Sequence, residues 1–257
     1  MEVFDNAPLW TFFLGVILIA LLCFEAGYFQ GKRLSKASAG QSEAPIGAMV
    51  SGVLALLAFM LAFTFGIASS RFDERRLLVV DEANAIGTTY LRAEFLDEPA
   101  RANVKKLLRE YVALRLDVCA HPEHVQDAIA QAESLQQRLW TEAVELGRKR
   151  PTPISSLFIT SLNDVIDLQA KRITAGLHTR VPAVVWYGLL FISALSMVGV
   201  GYYAGRGGTR AWPETLILVT AFGTILFLVA DLDRPSQGYL RVNQQPLTDL
   251  ARQIGCK

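Results

Sequence analysis

Four segments of this chain stay apolar over about 20 residues each, the length a helix needs to cross the hydrocarbon core of a bilayer. They are Leu9–Phe29, Ile46–Ser70, Ala183–Ala204 and Trp212–Ala230. Inside lipid a segment has to satisfy its own backbone N–H and C=O groups, so each of these is expected to be a helix. The first is too long for a signal-peptide core, and no small-x-small cleavage site follows it, so it is expected to stay in the mature protein. With 52% hydrophobic and 19% charged residues, the 257-residue chain is too polar to be a membrane bundle alone. Spans and a water-exposed part are both expected.

The spans form two hairpins. One is closed by the polar loop "QGKRLSKASAGQSEAP" and the other by the short "GRGGTRAW". Trp10, Tyr28, Trp186, Tyr202, Tyr203 and Trp212 lie near span ends, where aromatic rings settle at the membrane–water interface. Between the hairpins, residues 71–182 have helical periodicity and few strand signals. Four helices are expected there. "RFDERRLLVVDEANAIGTTYLRAEFL" runs straight on from the second span. "LDEPARANVKKLLREYVALRLDV" has Asp97 as its expected N-cap and Pro99 in its first turn. "HPEHVQDAIAQAESLQQRLWTEAVELG" opens at Pro122 and is expected to end at Gly147. "ISSLFITSLNDVIDLQAKRITAGL" carries Phe158, Leu162, Val165, Ile166, Ile173 and Leu177 on one apolar stripe. The expected fold is therefore all-α and polytopic. An N-terminal hairpin (1–70) is followed by a helical insert (71–182), a second hairpin (183–230) and a tail (231–257).

Four spans put both termini and the insert on one side. Near the span ends that side carries 8 Lys or Arg (Arg71, Arg75, Arg76, Lys171, Arg172, Arg180, Arg234, Arg241), against 5 on the loop side (Lys32, Arg33, Lys36, Arg206, Arg210). The bias favours a cytoplasmic insert and cytoplasmic termini. A net charge of +1 leaves no basic footprint for nucleic acid.

Signals for chemistry are sparse. "CAHPEH" (Cys119–His124) gathers a thiol and two imidazoles, but no second ligand pair follows at metal-finger spacing, and the stretch reads as a turn between helices. The three cysteines are far apart in sequence and form no disulfide framework. Glu25, an acid near the end of a span, is either functional or reaches the interface, and in both cases faces protein rather than lipid. Gly27 with Gly31, and Gly201 with Gly205, are small-xxx-small pairs that let helices approach closely. Ser69 and Ser70 have no histidine nearby in sequence, and hydroxyls at a span end usually bond a carbonyl one turn back. No nucleophile–base pair, phosphate loop or HExxH run is present, so an enzyme is not expected.

The stretch "AFTFGIASSRFDERR" (62–76) passes from apolar to charged within one helical turn. Phe59, Phe63 and Ile67 recur every four residues, among Gly52, Ala55, Ala62, Gly66 and Ala68. Within a single chain that is a packing pattern. In a ring of subunits the same stripe makes stacked apolar rings, a constriction that gates by excluding water.

The motif Arg71, Phe72, Glu74, Arg76 after this span resembles the second transmembrane helix of bestrophins. A second match lies in "DLDRPSQGYLRVNQQPLTDL", at Asp231, Asp233, Pro235, Gly238, Asn243, Pro246, Leu247 and Leu250. With the span layout, the chain is identified as similar to the bestrophin-like domain family of bacteria. The resemblance implies a pentameric ion channel in the bacterial inner membrane, with an apolar neck at Ala55, Phe59, Phe63 and Ile67. Its partners would be lipid, inorganic ions and its own copies, and no cofactor is expected. Departures are visible. Ser236 replaces an expected aromatic, Ala55 is small for the top of the neck, and "RPSQGYLRVNQQP" lacks the acids of a calcium clasp. The alternative is a non-conducting scaffold or sensor whose insert binds a partner. Such a protein would hold the phenylalanines in its core or against lipid.

Overall fold

A computed structural model describes residues 8–35, 44–121, 124–210, 212–234 and 238–256. Most of the described residues are helical, and there is no strand among them. The chain divides into two compact units, residues 1–72 with 180–240, and residues 73–179 with 241–257.

The first unit holds α1 (Leu9–Ser35), the first part of α2 (Ala44–Arg92), α6 (Ala183–Gly207) and α7 (Trp212–Asp233). All four helices are long and apolar enough to cross a membrane. Helix α1 lies directly against α6, and the glycines explain how. A Cβ on Gly27 would stand 2.1 Å from the carbonyl oxygen of Val198, and one on Gly201 would stand 2.0 Å from that of Phe24. Gly31 and Gly205 meet the carbonyls of Tyr202 and Tyr28 in the same way. Lipid supplies no hydrophobic drive between helices, so contact of this kind is what holds spans together. Leu57, Leu61, Leu189 and Leu226 form one core, and Ala68, Val181, Val229 and Leu232 form another. Tyr28 departs from the expected interfacial belt. It is buried, stacked on Phe24 and covered by the Arg210 guanidinium 4.9 Å above its ring. Trp10, Tyr203 and Trp212 do remain exposed near helix ends.

The second unit holds the rest of α2, then α3 (Ala100–Ala120), α4 (Val125–Lys149), α5 (Pro153–Ile173) and α8 (Gln245–Ile254). Its core includes Ile86, Leu107, Tyr111, Leu139, Phe158 and Leu250. Helix α5 starts with the Thr152 side chain accepting the Ser155 N–H at 3.2 Å and Pro153 in the first turn. Three sequence expectations need correction. Asp97 does not cap α3. Pro99 holds the cap position, while the Asp97 carboxylate pairs with Arg150 at 2.7 Å. Helix α4 passes through Gly147 and ends at Lys149, because the glycine lies where α4 meets Ile159 of α5. Helix α5 gives way to a wider turn at Thr174–His178, leaving Leu177 exposed rather than on the buried stripe. Pro122, expected to open α4, lies outside the described residues.

Candidate functional site

The buried side of α2 in the first unit is Leu57, Leu61, Thr64 and Ala68. Thr64 needs no outside partner, since its hydroxyl donates to the Met60 carbonyl at 2.8 Å. The residues expected to line a neck lie elsewhere. Phe59 is 65% exposed and Phe63 61%. Ala55 is exposed with them and Ile67 is half-buried. Around them, a Cβ on Gly52 or Gly66 would meet nothing within 4 Å. The two phenylalanines are thus outside the core of their own chain, on a face of small residues.

The exit motif divides by role. Phe72 packs against the Ala68, Val181, Val229 and Leu232 cluster. Arg71 is half-buried, with its Nη1 shielded from solvent and without a hydrogen-bond partner. Glu74 and Arg76 are exposed.

The tail motif is a set of backbone clamps. Asp231 is 2% exposed, and its carboxylate accepts the N–H of Tyr239 at 2.6 Å and of Leu240 at 3.0 Å. Asp233 accepts the N–H of Val181 at 2.8 Å, just before α6 begins. The Asn243 side chain accepts the Gln245 N–H at 2.9 Å, and Pro246 occupies the first turn of α8. Leu247 and Leu250 then seat α8 in the core of the second unit. Pro235 and Ser236 lie outside the described residues. Among the described residues, no group of three His, Cys, Asp or Glu stands close enough to hold a metal ion. His121 of the "CAHPEH" stretch sits 3.1 Å from Asp117. Glu25 faces protein, paired with Arg210 at 3.5 Å.

Sequence reasoning missed a buried polar network in the second unit. Glu82, with no exposed surface, sits between Arg115 at 3.2 Å and Arg172. The Tyr111 hydroxyl donates to it at 2.9 Å and stands 3.0 Å from Gln169, which also accepts from Gln136. Arg172 reaches on to the Gln244 side chain at 3.5 Å, just before α8. Burial pushes the Tyr111 phenol well above its usual range, helped by the Glu82 charge. Burial alone would lower Arg115, but the charges of Glu82 and Tyr111 outweigh it and raise the guanidinium further. Burial also raises the Cys119 thiol. A signal was present in "LLVVDEANAI". Glu82 sits on the stripe of Val79, Ala83 and Ile86, where an acid is kept only if paired.

A family model described as "Bestrophin-like domain" matches residues 17–247. The fold resembles two point variants of a bacterial bestrophin homologue from Klebsiella pneumoniae. One has a TM-score of 0.63 at 16% identity, covering 94% of this chain and 93% of that one. The other has a TM-score of 0.63 at 17% identity, covering 96% of each. A variant of a solved structure described as a membrane protein gives 0.64 at 16% identity, covering 96% and 95%. No curated protein sequence matches the chain.

Proposed function

Because the chain belongs to the Bestrophin-like domain family, we propose that it is a homo-oligomeric ion channel whose apolar neck is formed by Ala55, Phe59, Phe63 and Ile67 of α2. The observation that carries this reading is the exposure of Phe59 and Phe63 on a span. Two large rings outside the core face either lipid or other copies of the chain. The small residues around them suit close approach of neighbouring helices. In a ring of copies, stacked phenylalanines would form a constriction that excludes water when narrow. Among the described residues one copy has four candidate spans, too few to enclose a pore, and the proposed assembly is a pentamer.

In the proposed orientation the termini and the second unit are cytoplasmic and the membrane is the bacterial inner membrane. The charge bias near the span ends supports the sidedness. Arg71 and Arg76, following the neck, would shape the approach of ions to its cytoplasmic end.

Particle mass in mild detergent and ion flux in liposomes together test the proposal. The expected result is a uniform pentamer with measurable flux. A uniform monomer across detergents would overturn both the assembly and the channel. A uniform oligomer without flux under any ionic gradient would favour the scaffold reading.

A further inference from the structure

Helix α2 runs as one helix from Ala44 to Arg92, so each side chain is turned about 100° from the one before it. Measured from the middle of the Phe59–Phe63 stripe, the neck residues Ala55 and Ile67 lie within about 60°. Leu57, Leu61, Thr64 and Ala68, all buried, lie about 120° or more away. Burial thus follows helix phase along the span. The run Arg71–Arg76 that comes next holds three arginines and two acids. A count of charge alone would therefore make the end of the neck favour anions.

Helix phase gives the opposite sign. Glu74 lies about 40° from the middle of the stripe and Asp73 about 60°, on the face that carries the neck. Arg71 lies about 100° away, Arg76 about 120° and Arg75 about 140°. Exposure agrees. Asp73 and Glu74 are exposed, Arg71 is half-buried and Arg75 is only 7% exposed. Arg76 is exposed, but on the flank of the helix. Among the described residues neither acid has a hydrogen-bond or ion-pair partner, so both charges are available to a passing ion. On the reading that copies of α2 line an ion path, we propose that the channel selects cations and that Glu74, flanked by Asp73, is its specificity-determining residue. Glu74 stands about 16 Å further along the helix than Phe63. In a ring of copies its carboxylates form an acidic collar that concentrates cations and repels anions. Arg71 and Arg76 act on the same mouth from the sides, at greater distance, and weaken that preference without reversing it.

The test is the reversal potential of full-length protein in planar bilayers under a gradient of potassium chloride. The expected result is a wild type that passes potassium in preference to chloride. Glu74→Asp should keep that preference. Glu74→Gln should lower it about tenfold, because every copy loses its charge on the same path. Glu74→Lys should turn it toward chloride. Raising the salt on both sides should weaken the wild-type preference, as screening does. Should Glu74→Lys change the particle mass, Glu74→Cys with Cys23, Cys119 and Cys256 replaced by Ser supplies the same contrast in one protein. A cationic thiol reagent should then shift it toward chloride, and an anionic one should restore potassium. A wild type that prefers chloride would overturn the proposal. So would an unchanged reversal potential in Glu74→Gln or after labelling, since the acid would then lie off the path. A wild type without conductance would remove the channel reading itself, and the selectivity with it.

Discussion

Gly238 lies so close to Asp231 that a Cβ on it would stand 2.8 Å from Oδ1 of that carboxylate and 2.9 Å from its carbonyl oxygen. The carboxylate needs that space because it turns toward the N–H groups of Tyr239 and Leu240. The pair therefore holds the backbone of Tyr239 and Leu240 against the end of α7. Acid and glycine were legible as a motif in sequence, but their roles were not. A carboxylate clamped on backbone amides and one awaiting an ion look the same until the amides are placed.

Gly238→Ala is expected to destabilise the protein by about 1–3 kcal/mol, as overpacking of a fitted site does. Asp231→Ala should also destabilise, by about 1.5–3 kcal/mol, the usual worth of a hydrogen bond to a charged group, because the amides of Tyr239 and Leu240 lose a carboxylate acceptor. Thermal unfolding in detergent reads both. A melting temperature unchanged in Asp231→Ala would rule out the clamp.

The contact between α1 and α6 gives a second expectation. Any side chain at Gly27 or Gly201 would enter the facing backbone, not a side chain that can turn aside. Gly27→Leu and Gly201→Leu should both reduce folded yield sharply. Gly15→Leu on the same helix should not, because a Cβ there meets nothing within 4 Å. Folded yield by fluorescence-detected size exclusion is the check, and equal yields for the three variants would contradict it.

Glu82 holds two guanidiniums in the core of the second unit. Its replacement by Ala should cost about 3–5 kcal/mol, the usual effect of leaving a buried charge without its partner. Glu82→Gln keeps the shape and some hydrogen bonds, and should cost less. Chemical or thermal unfolding can rank the two. If Ala and Gln prove equally harmless, the network does not stabilise the unit.

The raised Cys119 thiol gives a dependence on pH. Only the thiolate is alkylated, and burial keeps Cys119 protonated to higher pH than a free cysteine. Its alkylation rate should thus still be climbing where free cysteine has levelled off. By linkage, a folded thiol pKa above the unfolded one adds stability that is full below the unfolded pKa. That stability is lost as pH rises through the folded pKa. Iodoacetamide rates on a variant with Cys23 and Cys256 replaced by Ser would reveal a free-thiol profile if this is wrong.

Apolar length alone gave the four spans, and the glycine pairs pointed to close helix contact, because both signals are local in sequence. The cap of α3 and the end of α4 were misread because Asp97 and Gly147 have tertiary partners, Arg150 and Ile159, that local rules do not see. The Glu82 network escaped for the same reason. Its members come from α2, α3, α4 and α5, and no short window holds two helices at once. Phe59 and Phe63 fell between these cases. Their spacing marked a stripe, yet spacing cannot distinguish a stripe turned inward from one turned out.

That stripe carries the last prediction. Replacing Phe59 and Phe63 together by Ala should raise ion flux in liposomes, because smaller rings widen and wet a narrow apolar neck. Phe63→Ser should act in the same direction by wetting alone. Buried phenylalanines would behave otherwise, and their loss would cost about 3–5 kcal/mol each with no gain in flux. At 65% and 61% exposure, the rings have little of the chain's own packing to lose, so the variants are expected to fold. Particle mass separates the remaining outcomes. Unchanged mass with higher flux supports the neck, whereas unchanged mass with unchanged flux falsifies it and assigns the phenylalanines to lipid. A shift to smaller particles with no flux would make them contacts between subunits away from the ion path, which also removes them from the neck.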